Sequence, residues 1–422
     1  MPLARALGFA SLTFYGVGII LGAGIYSVLG VAAARTEDAL WMSFALSSGI
    51  ALLTALSYAE LATMLPRAGA EFSYLRRAFP RLPSVALVTG LLVALSGAAT
   101  AATVAIAFGG YLQAFAQIPV GLAAGALIGA ALALNLVGVK ESGWVNAAFT
   151  LIEAGGLLIF IALGATSEKF GAAFFSAPSF AVIPGAALVF FSFLGFENIA
   201  NLAEEAKHPQ RDLPRAIFAS LAIASALYVG VAVAAVALLP PEQLGATQAP
   251  LADAARAHSA RLAGVLGGIA LFATANTALV SLLVASRVVF GIARDGKLPR
   301  ALAAVQRRRK TPWAATLAVS ATALALLPIG GVEIVASVSS FASLLAFAAV
   351  NASLIALRRS EPERRRRFRV PGAIGGVPIL PALGAIATLA IATQLEPAAL
   401  GIGGGAALAL ACYAVLRNRR ST

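Results

Sequence analysis

Twelve long apolar runs leave this chain very few ways to fold. They cover residues 10–34, 39–65, 82–116, 119–138, 143–165, 181–203, 215–239, 261–292, 312–328, 332–357, 377–395 and 398–416. A helix needs about 20 mostly apolar residues to cross a bilayer. In hydrocarbon every backbone N–H and C=O must be satisfied within the protein, so runs of this length are read as helices. Of the 422 residues, 60% are hydrophobic and 12% charged, too apolar for a soluble multidomain chain. The expected fold class is an all-α polytopic membrane protein with about twelve transmembrane helices.

Two of the runs are broken. Gly22-Ala23-Gly24-Ile25 interrupts the first, and Phe191-Ser192-Phe193-Leu194-Gly195-Phe196-Glu197 interrupts the sixth. Glycine is a poor helix former and lets the backbone open. An opened helix in lipid is costly unless its freed groups line a cavity. Each break falls in the first segment of a five-segment half. An odd number of spans per half forces opposite orientations, which gives a 5+5 inverted repeat with broken helices 1 and 6. The expected divisions are 1–165, 181–357 and an accessory helix pair at 377–416. Matched breaks point to a secondary transporter whose site lies near the bilayer midplane. Freed N–H groups attract a carboxylate and freed carbonyls an ammonium or a cation. A zwitterion such as an amino acid carries both.

The net charge of +13 would suggest nucleic acid in a soluble chain, but its distribution excludes that reading. With the N-terminus inside, 26 of the 31 Lys and Arg fall on inside loops and 4 outside. That bias fits the positive-inside rule, with both termini cytoplasmic in a multi-pass protein of the cell membrane. Anionic lipid headgroups are the expected neighbours of the basic loops. Arg364-Arg365-Arg366-Arg367 is expected to be a solvated cytoplasmic linker, and the loop at 240–260, led by Pro240-Pro241, to be irregular. Gly121, Gly125 and Gly129 are expected to let helices approach closely. Gly401, Gly403, Gly404 and Gly405 are expected to do the same, within the chain or in a homodimer. Cys412, the sole cysteine, reads as a small packing residue.

Four ordered motifs carry a family resemblance. They are Gly18-Ile19-Ile20-Leu21-Gly22-Ala23-Gly24-Ile25-Tyr26; Ser57-Tyr58-Ala59-Glu60-Leu61 with Leu65-Pro66-Arg67-Ala68-Gly69-Ala70-Glu71; the Phe190–Glu197 stretch running into Glu204-Glu205 and Pro209-Gln210-Arg211-Asp212-Leu213-Pro214; and Ser286-Arg287 with Ala293-Arg294-Asp295-Gly296. The chain resembles the amino acid–polyamine–organocation superfamily of permeases across segments one to ten. The resemblance implies alternating access and an amino acid or related amine as substrate. It implies that backbone around Ile20, Gly22, Ala23, Gly24 and Ile25 receives the substrate carboxylate, and that carbonyls around Phe191, Ser192 and Leu194 receive the amine. Phe191 aligns with the aromatic that closes over substrate in relatives. Gly195 and Glu197 complete the second break; the resemblance implies that Glu197 bonds opened backbone and gates, with direct proton or substrate handling left open.

Glu153 is the most expensive residue in the sequence, near the middle of segment five. A charged carboxylate there costs about 2.5–3.5 kcal/mol. Proton coupling, a permanently protonated structural carboxyl and a cation ligand all remain open for it. Proton-coupled relatives carry a lysine near this position, and this chain departs from them. Segment eight is unusually polar, with Thr274, Asn276, Thr277 and Ser281, as sodium ligands or as interhelical hydrogen bonders. Glu60, Glu204, Glu205 and Asp295 read as ion-pair partners of cytoplasmic cations. The expectation is a secondary active amino acid transporter, proton-coupled for uptake, with sodium coupling, exchange and export of amines left open. No cofactor, metal or enzymatic cluster is expected.

Overall fold

The computed structural model describes residues 7–22, 24–66, 70–138, 143–175, 177–306, 308–309 and 311–419, with the side chains of 143–146, 418 and 419 left aside. Segment one is two helices, α1 (Phe9–Leu21) and α2 (Gly24–Thr36), followed by α3 (Leu40–Met64). A short helix α4 (Ala70–Ala78) leads to α5 (Pro83–Leu112), α6 (Val120–Val137) and α7 (Gly143–Gly164). After α8 (Phe170–Phe174), segment six runs as α9 (Val182–Val189), a 3-10 turn at Phe190–Phe193 and the single turn α10 (Asn198–Asn201). Then come α11 (Pro209–Leu238), the short α12 (Pro241–Ala246) and α13 (Pro250–Arg256), and α14 (Ala260–Arg294). The chain closes with α15 (Trp313–Leu326), α16 (Val332–Ser360), α17 (Ile379–Ala392) and α18 (Pro397–Arg419).

Nine of these stretches are long and apolar enough to span, Gly24–Met64 among them holding the end of segment one and all of segment two. Phe9–Leu21, Trp313–Ile329 and Ile379–Ala392 are shorter apolar helices that complete the set. The protein is an all-α polytopic membrane protein, and among the described residues the first and sixth apolar segments are broken helices.

Helix starts follow proline chemistry. Pro83, Pro209, Pro241 and Pro250 each stand in the first turn of their helix, where a missing N–H costs nothing. This corrects the expectation of an irregular loop at 240–260. Its prolines start two helices, which pack on the end of segment one. A side chain at Gly30 would meet the Leu244 carbonyl oxygen at 2.4 Å, and one at Gly245 would meet Ala34 Cβ at 2.4 Å.

Long helices cross closely where residues are small. A Cβ on Gly97 of α5 would sit 2.8 Å from Ala285 Cβ of α14. Buried apolar side chains form two clusters. One gathers segments one, two, six and seven with much of α16, and the other gathers α5, α6, α15 and the second half of α14.

Two faces can be told apart. One carries the basic loops: α4, the loop before α11, the end of α14 and the linker after α16. The opposite face is tied by Arg35 at the end of α2, which pairs with Glu333 and, at 2.7 Å, with Glu396.

The linker corrects a second expectation. Arg364 and Arg366 fold onto the bundle instead of lying in solvent. Arg364 donates to the Met64 carbonyl at 3.1 Å and pairs with Glu361 at 2.8 Å. Arg366 Nε stands 3.1 Å from Glu60 Oε1 as an ion contact, off the line of a hydrogen bond. The linker ends in a small antiparallel hairpin, β1 (Ala373–Ile374) with β2 (Val377–Pro378). Its turn is Gly375-Gly376 at φ 58° and 81°, a conformation only glycine takes readily.

The glycine row on α6 is the third correction. Side chains at Gly121, Gly125 and Gly129 would meet nothing within 4 Å, because that stripe of α6 faces outward from the described residues. In α18, Gly403 abuts Phe341, while Gly401, Gly404 and Gly405 meet nothing. Cys412 is exposed on α18 and is not a packing residue.

Candidate functional site

The two breaks pack against each other. α1 ends as Gly22 N–H donates to the Gly18 carbonyl at 3.1 Å, and α2 begins at Gly24. Ala23 lies outside the described residues. In segment six the 3-10 turn passes into extended backbone at Leu194 and then to Gly195 at φ 125°. A Cβ at Gly195 would be both strained and 2.3 Å from Ile19 Cγ2. Across the same contact, a Cβ at Gly24 would fall 2.3 Å from Ser192 Cα. The missing side chains of two glycines therefore set the closeness of the two broken helices.

Sequence reasoning missed the residue that joins them. The Tyr228 hydroxyl, from α11, contacts the Ile20 carbonyl and lies 3.1 Å from the Ser192 carbonyl. It bridges buried main-chain acceptors at both breaks. Phe193 and Phe44 surround it, with ring centroids 5.4 and 5.7 Å from its own. The signal in the sequence was one tyrosine in an otherwise apolar run.

Of the residues named from the sequence, Ile20, Gly22, Gly24, Ile25, Phe191 and Ser192 lie buried in this contact. Phe191 is 3% exposed, so it faces the protein interior and not lipid. Leu194, Gly195 and Glu197 instead border a cavity between the break, α5, α14 and α16. Glu197 Oε2 accepts the Gly195 N–H at 2.8 Å, which satisfies a donor freed by the break. Asn276, Thr277 and Ser281 of α14 line the same cavity. Thr277 also touches segment one, since a Cβ on Gly22 would meet its Oγ1 at 2.2 Å. Thr274 is different: its hydroxyl is spent on its own helix, at 2.7 Å from the Ala270 carbonyl. Opposite, Ser96, Thr100, Ser339 and Ser343 form a hydroxyl chain between α5 and α16, at 2.6 to 3.0 Å. Sequence reasoning did not single out these four.

Glu153 is 1% exposed, and neither of its carboxylate oxygens has a hydrogen-bond partner among the described residues. Its face of α7 is fixed by neighbours on the same side. Thr150 Oγ1 donates to the Phe14 carbonyl of α1 at 3.1 Å, and Gly156 lies against Ile269 of α14. Residues three apart share a helix face, so Glu153 is turned toward the start of the protein's first broken segment. Tyr26 and Tyr228 are near enough to interact with it electrostatically. The Tyr26 and Tyr111 hydroxyls and Ser192 Oγ are likewise buried without a partner among the described residues. No group of three or more His, Cys, Asp or Glu is placed to hold a metal ion among the described residues.

A bundle whose two broken helices meet beside a cavity lined by both apolar and polar side chains has the outline of a membrane permease. The chain belongs to the amino acid permease family, whose pattern matches residues 7–415. It is 30% identical over 405 residues to the branched-chain amino acid permease of Bacillus subtilis, covering 90% of this chain and 86% of that one. It is 30% identical to the methylthioribose transporter of the same organism, with 91% and 87% covered. It is 32% identical to cationic amino acid transporter 9 of Arabidopsis thaliana, with 86% and 68% covered.

Proposed function

We propose that this permease is a secondary active transporter that takes up an amino acid by alternating access, driven by a proton carried on Glu153. The observation that carries the reading is the contact between the two breaks, Gly24 on Ser192 and Ile19 on Gly195, with the unpartnered Glu153 buried on the face of α7 that packs on α1. The start of α2 offers N–H groups to a carboxylate, and the carbonyls near Leu194 offer acceptors to an amine. Phe191, buried over this contact, seals the occluded state. The glycines serve as hinges: they permit close packing in one state and re-opening in the next.

The proton assignment follows from solvation. An ionised carboxylate without donors is expensive inside a membrane, so a charge on Glu153 calls for rearrangement around it. Substrate arrival or a change of access is such a rearrangement. The basic face is taken as cytoplasmic, with both termini there and the protein in the cell membrane. The relatives are named for branched-chain amino acids, cationic amino acids and methylthioribose. A neutral amino acid suits the small and apolar residues at the breaks.

The test is uptake by the purified protein in liposomes, with an inside-alkaline pH gradient and a panel of amino acids. Accumulation of a neutral amino acid that collapses with the gradient is expected. Gly24→Leu should insert normally and bind nothing, because its side chain would occupy the contact with Ser192. Normal affinity in that variant would remove segment one from the site. Accumulation that follows a sodium gradient alone would overturn the proton assignment.

A further inference from the structure

We propose that a recess on the basic face, between the start of α11 and the linker after α16, is a binding site for a phosphate-bearing anion, with an anionic lipid headgroup as its occupant. Its wall is Pro66, Lys207, His208, Gln210, Arg211 and Arg367, together with Pro209. No carboxylate is part of that wall. Lys207, Arg211 and Arg367 come from two separate parts of the chain and converge on one space.

Several other cations on this face are paired with acids. Arg77 pairs with Glu361 at 2.6 Å, Arg364 with Glu361 at 2.8 Å, and Arg76 with Asp295 at 3.7 Å. Arg358 and Arg366 share Glu60. None of Lys207, Arg211 and Arg367 has an ion-pair partner among the described residues. Glu204, Glu205 and Asp212 flank the stretch without lining the recess. Three cations converging without an acid favour a ligand of two or more acceptor oxygens, and guanidinium and ammonium groups both suit phosphate.

The position favours lipid. Pro66 stands two residues past the end of α3, and Arg211 lies in the first turn of α11. At about 1.5 Å per residue both lie within a few ångströms of the ends of spanning helices, where headgroups begin. The site is also linked to the moving parts. Leu7 N–H donates to the Glu205 carbonyl at 3.0 Å, and Lys207 N–H donates to the Leu7 carbonyl at 2.8 Å. The loop that bears Lys207 is thereby tied to the start of segment one. Arg367 sits beside Arg366 in a linker pinned on Glu60. An anion in the recess would clamp the one to the other.

The site does not depend on the substrate assignment, and its test does not read transport. Purified full-length protein is placed in phosphatidylcholine vesicles with and without spin-labelled phosphatidylglycerol, and headgroup immobilisation is titrated. In parallel, thermal unfolding in neutral lipid is followed against inorganic phosphate. The comparison variant replaces Lys207, Arg211 and Arg367 by Gln. A second variant replaces Arg81, Arg294 and Arg300, which lie on the same face away from the recess. Expected is saturable phosphatidylglycerol binding that falls about tenfold or more in the first variant and is kept in the second. Saturable stabilisation by phosphate alone, lost in the first variant, would assign the site to a free phosphate and overturn the lipid occupant. Equal loss in both variants, or no loss in the first, would reduce the recess to general surface charge and overturn the site.

Discussion

Glu60 and Glu153 are both fully buried glutamates of spanning helices, and their surroundings are opposite. Glu60, near the basic-face end of α3, accepts from Arg358 Nε at 3.0 Å, from Arg358 Nη2, and from the Val370 N–H at 2.8 Å, with Arg366 3.1 Å away. Glu153, within α7, has no donor at all among the described residues. Glu60 is saturated, and it holds the end of α16 (Arg358) and the linker after it (Arg366, Val370) against α3. Glu153 holds nothing together. A buried charge that is fully bonded is part of the architecture, whereas a buried carboxyl that bonds nothing must be explained by what visits it. The same residue type at the same exposure therefore serves two ends, and the donors around it decide which.

One substitution made at both sites tests this most severely. Glu60→Met should lower stability by about 3–5 kcal/mol, because Arg358 and Arg366 would be left buried without their counter-charge. Glu153→Met removes an unbonded polar group and keeps its volume, so stability should be unchanged or higher. Thermal unfolding of the two purified variants reads the difference directly. Equal melting temperatures would mean that the donor count does not separate the two carboxyls.

The functional side of the comparison turns on Glu153→Gln, which fixes the side chain in a form equivalent to the protonated one. Concentrative uptake driven by a pH gradient should fall to the level of passive equilibration. Exchange of substrate across the membrane should continue, because exchange needs no net proton release. A carboxyl with only a structural role predicts that both activities persist, since Gln keeps the size and most of the hydrogen bonding. Gradient-driven accumulation at the wild-type level would end the proton assignment.

What the sequence made legible has a physical pattern. The twelve spans were readable because an apolar run of bilayer length in lipid has one good backbone solution. The breaks were readable because glycine is needed where Gly24 meets Ser192 and where Gly195 takes φ 125°. Tyr228 was not readable as a bridge. Its role exists only because α11 passes both breaks at once, a contact 208 residues away in sequence from Ile20. Arg366 looked like part of a solvated charge run. It is folded in because Glu60, far earlier in the chain, draws cations and the Val370 N–H together. Pro241 and Pro250 looked like loop markers, although a proline in the first turn begins a helix as readily as it ends one. Local chemistry was legible, and roles assigned by distant partners were not.

Glu71 lies between the two extremes and gives the smallest expected effect. It is on α4, outside the spanning segments, and is 4% exposed. It accepts the Tyr58 hydroxyl at 3.0 Å, and Tyr74, Asn201 and Glu197 are its other polar neighbours. Burial pushes its carboxyl above the ordinary range, and the hydrogen bonds from Tyr58 and Asn201 offset only part of that. The folded protein therefore holds this proton more tightly than the unfolded chain does. The resulting stabilisation is fully present below the ordinary carboxylate range and is lost as pH rises through the higher folded value. Glu71→Gln should remove that slope at a cost of about 1 kcal/mol or less, because the amide oxygen can still accept from Tyr58. Melting temperature followed from acid to neutral pH should decline more in the wild type than in the variant. If the two curves run parallel, Glu71 is saturated by donors as Glu60 is. If the variant is much the less stable at neutral pH, its charge is part of the architecture as well.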